Sequence, residues 1–233
     1  MGIKAHGRPC CGEADFAHSF VNAIIAIVKE INMVDQNRQP TLEGNLVRLV
    51  PLSMKHKEAL VAVGLDPAIW KFTPFPIETE EQMEEYLKRA FRERDRGQAI
   101  PFSIIEKVDE EVVGSTRYGN IDPFNRRVEI GWTWLAPRWQ RSGINTEAKL
   151  LLLEHAFQEL KCVRVEFKTD ALNLPSRNAL VRIGAKEEGT LRKHMVTATP
   201  RMRDTVYYSI LFEEWPQARK GLLQLLERGN KSS

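Results

Sequence analysis

Residues 127–169 restrict the fold more than any other stretch, because a strand pattern there passes through a long helix into a second strand. Arg127–Leu135 alternates polar and apolar residues with the two-residue period of a strand. A turn holding Gly143 follows, and Asn145–Leu160 reads as a long helix with Leu150, Leu153, Ala156, Phe157 and Leu160 on its buried side. Val163–Thr169 is the second strand. A crossover of that length lets the two strands lie parallel, and its loop is where chemistry is expected.

The remaining elements are mostly hairpins and capped helices. Leu46–Val50 reads as a strand, and Ser53 caps a helix running to about Val63. Pro67, Pro74 and Pro76 mark an irregular segment holding Trp70, Phe72 and Phe75. Thr79 followed by Glu80, Glu81 and Gln82 starts a charged amphipathic helix ending near Gly97. Phe102–Val108 and Val112–Gly119 flank the Asp109–Glu110 turn as a hairpin. A short helix over Ser176–Ile183, a last strand over Thr205–Phe212 and a helix over Gln217–Arg228 complete the chain. The fold class expected is α/β of the α+β kind, with a mixed sheet flanked by helices.

The chain has 233 residues, the length of one domain with an appendage. Residues 1–40 read as an N-terminal extension, partly helical by the spacing of Phe16, Phe20, Ile24, Ile25 and Val28. Gln36–Pro40 is a linker, and residues 41–233 form the domain. Hydrophobic residues at 42% and charged residues at 28% exclude disordered, collagen-like and disulfide-scaffold chains. A net charge of +3 argues against a nucleic-acid partner, and Arg89–Arg96 is interrupted by Glu93 and Asp95. Cys10, Cys11 and Cys162 offer no disulfide framework, so reduced thiols and a cytoplasmic location are expected. Only His6 and His18 lie near the Cys pair, and no metal site is expected. The apolar run Phe20–Val28 is broken by Asn22 and too short to span a membrane. Glu13 and Asp15 fit a secretory signal poorly. The sequence leaves monomer or homodimer open.

The turn at Gly143 has two readings. Backbone N–H groups at a helix start lack internal partners and bind phosphate, with Arg138 and Arg141 near enough to add charge. Alternatively it is an ordinary strand-to-helix turn capped by Ser142. It lacks the Gly-Lys-Ser/Thr of a phosphate-binding P-loop and the three spaced glycines of a dinucleotide site.

Gln140-Arg141-Ser142-Gly143-Ile144-Asn145 resembles the Gln/Arg-x-x-Gly-x-Gly/Ala motif of the GNAT superfamily of N-acetyltransferases, with Asn145 in place of the final small residue. Asn173-Leu-Pro-Ser176, followed by a short helix and Gly184-Ala185, resembles that superfamily's second signature. The likeness spans about residues 42–215 and is nearest the branch that acetylates ribosomal-protein N-termini. It implies a mostly antiparallel central sheet with a splayed parallel strand pair, and acetyl-CoA as co-substrate lying in the splay. It further implies that backbone groups of Thr133, Trp134 and Leu135 bind the pantetheine, and that Gln140 and the amides of Arg141, Ser142, Gly143, Ile144, Asn145 and Thr146 hold the pyrophosphate. Asn173 would bind the cofactor arm, and Ser176 would sit near the thioester sulfur.

Direct transfer to an amine needs a base and an oxyanion donor, but no metal and no covalent nucleophile. Glu129 is the candidate base. By alternation it shares a face with Gly131 and Thr133, while Val128, Ile130, Trp132 and Trp134 point the other way. The competing reading is a strand glutamate paired with Arg126, Arg127 or Arg164. Ser176 is the candidate proton donor to the leaving thiolate, or a plain helix-start residue after Pro175. Asn173 is a cofactor ligand or a turn residue. His155 reads as structural, His194 as part of a loop near the acceptor side, and Tyr118, Asn120 and Trp70 as acceptor-pocket candidates. A protein N-terminus is the favoured acceptor, with a polyamine, an amino acid or an amine-bearing antibiotic as others. A non-catalytic acyl-CoA sensor is the alternative function.

Overall fold

A computed structural model describes residues 39–198 and 201–230. The helix expected within residues 1–40 lies outside the described residues. The strands are β1 (Leu42–Glu43), β2 (Val47–Pro51), β3 (Ile100–Glu106), β4 (Glu111–Asp122), β5 (Arg127–Leu135), β6 (Arg164–Asp170), β7 (Lys186–Val196) and β8 (Met202–Leu211). The helices are α1 (Lys57–Gly64), α2 (Pro67–Trp70), α3 (Glu80–Asp95), α4 (Ile144–Gln158), α5 (Leu174–Arg182) and α6 (Trp215–Asn230). Thr79 closes a full capping box on α3, its side chain taking the Gln82 N–H while Gln82 reaches back.

The strands form one sheet in the order β1-β2-β3-β4-β5-β6-β8-β7. Every neighbouring pair is antiparallel except β5 with β6, the mixed and mostly antiparallel sheet expected. The parallel pairing is short: Arg127, Val128 and Glu129 face Arg164, Val165 and Glu166, and there it stops. Beyond that point β4 holds β5 as far as Leu135, and β8 holds β6 as far as Asp170. The two strands therefore diverge, and the open wedge between them is the centre of the molecule.

Helix α4 covers one face of the sheet, burying Leu152, Leu153, Ala156 and Phe157 against Val128, Ile130, Val165, Phe167 and Tyr208, with Leu222 of α6 beside them. The opposite face carries a second core of Leu60, Met83, Leu87 and Ala90 around Trp70 and Trp134. Trp70 and Tyr118 thus belong to the two cores rather than to an acceptor pocket; Tyr118 is fully buried and its hydroxyl donates to Leu152 O at 2.5 Å.

Two expectations about strands are corrected. The segment read as a loop around His194 is part of β7, an edge strand. Its residues are almost all exposed and mainly charged, so no alternation marks it. Secondly, the face assignment along β5 fails after Gly131. Arg117 pairs with Gly131 and Ser115 with Trp134, so Trp132 and Thr133 together oppose Thr116. This β-bulge, with Trp132 at φ 50°, resets the alternation. Trp132 and Trp134 therefore lie on the Glu129 side, Trp132 against Gly119 and Trp134 against Trp70. Thr133 turns to the α4 side.

Candidate active site

The wedge begins where β5 leaves β6. Backbone groups of Ile130–Leu135 on that side have no strand to pair with, and the bulge at Trp132–Thr133 tilts them. Thr133, Trp134 and Leu135 lie on this free edge. Arg117, fully buried, braces the bulge. It pairs with Glu93 of α3 at 2.8 Å and lies over the rings of Trp132 and Tyr86 at about 5 Å.

The loop from β5 to α4 is shaped by its own side chains. Gln140 Nε2 donates to Leu135 O at 3.1 Å, and Ser142 Oγ donates to Trp139 O at 2.5 Å. Both side chains fold the loop. Gly143, not Ser142, stands at the N-cap, with φ 83° and no side chain capping the helix. A side chain at 143 would strain that backbone and place its Cβ 3.2 Å from Leu46. Arg141 is also left-handed at φ 63°. The amides of Ile144, Asn145 and Thr146 open the helix beside it. These features fit a pyrophosphate. Asn145 Oδ1 is buried with no hydrogen-bond partner. Arg138 is turned away, ion-paired with Glu111.

Across the wedge, Asn173 caps α5, its Oδ1 accepting from Ser176 N at 3.1 Å. The amide Nδ2 of Asn173 is left for another acceptor. Ser176 is half-buried in the first turn of the same helix. The helix-start readings of both residues match their setting, Asn173 as the cap and Ser176 in the first turn.

Glu129 is buried at the last paired position of β5, 6% exposed. None of the arginines weighed from the sequence pairs with it: Arg127 and Arg164 go to Glu166. Its partners are Lys168 Nζ at 2.7 Å and Asn120 Nδ2 at 2.5 Å, both on Oε2. Lys168 had no signal in the sequence, since only the β5–β6 register brings it there. Oε1 remains available, 3.0 Å from where a Cβ on Gly131 would stand. Gly131 thus leaves room for the carboxylate.

Two buried charges beside the wedge were also missed. Lys149 of α4 donates to Thr133 Oγ1 at 2.7 Å, and Thr133 is bonded in turn to Thr116. Burial without an acidic partner pushes the Lys149 ammonium down to about 7. Glu147, one turn into α4, accepts the N–H groups of Asn45, Leu46 and Val47 at 3.0, 2.6 and 2.8 Å, anchoring the helix start to β2.

The sheet face bearing Glu129 opens on the other side of the wedge from α4. It is bounded by the segment after α2 and by the β7–β8 hairpin, which meet where Ala198 N donates to Pro74 O at 2.9 Å. Asn120, an acceptor-pocket candidate, reaches this face through Glu129.

Residues 47–186, more than half of the chain, match the family profile described as "Acetyltransferase (GNAT) domain". The chain is 30% identical over 75% of its length to the uncharacterized N-acetyltransferase p20 of Bacillus licheniformis, covering 98% of that protein. It is 28% identical over 50% of its length to the ribosomal-protein-serine acetyltransferase of Escherichia coli K12, covering 64% of that protein. The solved structure of Mycobacterium smegmatis RimJ in complex with CoA-disulfide superposes with a TM-score of 0.70 at 27% identity, over 80% of this chain and 94% of that one. On its profile match, its relatives and its splayed sheet, this chain belongs to the GNAT acetyltransferase family and is an acyltransferase.

Proposed function

We propose that the protein transfers the acetyl group of acetyl-CoA directly to a primary amine, and that a protein N-terminus is the acceptor class it serves. The observation carrying this reading is the end of β5–β6 pairing at Glu129 and Glu166, which leaves the β5 edge unpaired opposite the uncapped start of α4. In this reading Gly143 and the amides of Arg141–Thr146 hold the pyrophosphate, with the shaping side chains of Gln140 and Ser142 beneath them. The free edge at Thr133–Leu135 and the amide of Asn173 hold the pantetheine arm.

The amine must lose a proton before it attacks. Glu129 Oε1, facing the acceptor side, takes that proton directly or through water. The nitrogen then adds to the thioester carbonyl, and an amide of the bulge stabilises the oxyanion, an interaction worth roughly 3 kcal/mol of barrier. Collapse breaks the C–S bond and expels the thiolate, which takes up a proton relayed through the Ser176 hydroxyl, while the nitrogen gives up its second proton to water and the amide is left. A terminal α-amine titrates near 8 and a lysine near 10.4, so the first reaches its neutral form at lower cost. The ribosomal-protein-serine acetyltransferase among the relatives supports the same acceptor class.

Thermal unfolding with excess acetyl-CoA, with ATP and a nicotinamide cofactor as controls, tests the donor. Ligand at a hundred times its Kd adds about 2.7 kcal/mol, a rise of roughly 5–10 °C for a chain of this size. A rise with acetyl-CoA alone supports the donor, and thiol release with N-terminal peptides then tests the acceptor. No rise would overturn the reading. A rise without thiol release for any amine would leave an acyl-CoA sensor.

A further inference from the structure

Among the described residues, the sheet face bearing Glu129 carries a buried positive charge with no ion-pair partner. Glu129, Lys168, Asp170, Thr205 and Tyr207 share this face through the β5–β6 and β6–β8 registers, and Arg203 follows two residues before Thr205 on β8. Glu129 is matched by Lys168, and Asp170, whose side chain is fully buried, by Arg201. Arg203 is left over. Only 8% exposed, it makes no ion pair among the described residues, and its Nε is buried without a hydrogen-bond partner. Thr205 Oγ1, next along the same face, is likewise buried and unpartnered. Burial lowers the pKa of Arg203, Arg201 repels it, and Asp170 and Glu129 act on it only from a distance.

A buried guanidinium with no partner costs stability, and such a cost is sustained where a ligand supplies the missing anion. The position suits an acceptor rather than the donor. Arg203 lies on the hairpin that bounds the acceptor side, whereas the anion-binding amides of Arg141–Thr146 open α4 on the far side of β5. The other charges facing it, from β5, β6 and the segment before β8, are already neutralised in pairs.

We propose that Arg203, with the Thr205 hydroxyl, binds a carboxylate of the acceptor, so that the preferred substrates are primary amines carrying a carboxylate a few bonds from the reacting nitrogen. This rests on the transfer reading above. The carboxylate has two sources, the α-carboxylate of a free amino acid or the side chain of an acidic residue next to a peptide N-terminus. A guanidinium fork matches either bidentately.

Matched acceptors decide between them. Thiol release is measured with serine against serinamide, and with Ser-Glu-Ala-amide against Ser-Gln-Ala-amide, at saturating acetyl-CoA. The wild type is expected to favour the acid at least tenfold in kcat/KM in one arm, and that arm identifies the source. Arg203→Gln is expected to bring the ratio close to one, while the thermal shift with acetyl-CoA persists and the unliganded melting temperature holds or rises. Arg203→Lys, which keeps the charge without the fork, is expected to retain part of the preference. Equal rates for acid and amide in both arms of the wild type would overturn the proposal even if the variants failed to fold. An unchanged ratio in Arg203→Gln would also overturn it. Turnover of amide acceptors without acid preference defeats only this inference, whereas no turnover of any amine defeats the transfer reading with it.

Discussion

Glu129 shows how much a single side chain depends on its neighbours. Its place on a strand face was legible, because strand period puts it beside Gly131. Its partners were not, since Lys168 and Asn120 arrive from two other strands. The pair with Lys168 holds one carboxylate oxygen and leaves Oε1 open beside Gly131. Glu129→Gln keeps the shape and the Asn120 neighbour but removes the carboxylate proposed as base. Turnover at saturating substrates is expected to fall by about two to four orders of magnitude, with the acetyl-CoA thermal shift retained. Unchanged turnover would remove Glu129 from the mechanism.

At the scale of elements, the β5 bulge does the most. It turns Trp132 and Trp134 to one side and Thr133 to the other, and it angles the free edge into the wedge. Its packing requires Gly119 on the neighbouring strand, where a Cβ would stand 2.2 Å from the Trp132 ring. Gly119→Ala must therefore push Trp132 off Arg117 or reshape the bulge. We expect a loss of roughly 1–3 kcal/mol in unfolding free energy from overpacking. We also expect weakened acetyl-CoA binding, seen as a smaller thermal shift than in the wild type. A variant with normal stability and a normal shift would show that the bulge has slack. Local sequence marked the elements that terminate through nearby residues, such as the Thr79 capping box and the Asp109–Glu110 turn. It failed for β7, whose exposed charged residues pair along one edge only and carry no periodic pattern.

For the whole molecule, one electrostatic cost sits where α4 packs on the sheet. Lys149 of α4 is buried, and its folded-state pKa of about 7 lies below that of an unfolded lysine. Below pH 7 both states hold the proton and the penalty is fully present. Between about 7 and 10.4 the unfolded chain binds the proton that the folded one has released, so stability rises with pH. Cys162, pushed up to about 12 by burial, acts in the opposite sense only from its ordinary thiol range upward. The half-buried histidines His56 and His155, lowered by desolvation, act below theirs. Thermal scans between pH 7 and 8.5 are therefore expected to show a gain of up to about 2 kcal/mol. Lys149→Met is expected to flatten that slope and to melt higher at pH 7; an equal slope would exclude Lys149 as its source. The sequence by itself determined the central hairpin, the capped helix after Thr79, the crossover at residues 127–169 and the glycine turn at 143, because strand period, capping and turn chemistry act over a few neighbouring residues. The sense of Trp132–Trp134, the Lys168 partner of Glu129, the unmatched Arg203 and the buried Lys149 were decided only by the tertiary structure. Each depends on which distant strand or helix supplies, or withholds, the opposing group, and a bulge of one residue is enough to reverse the face that local alternation assigns.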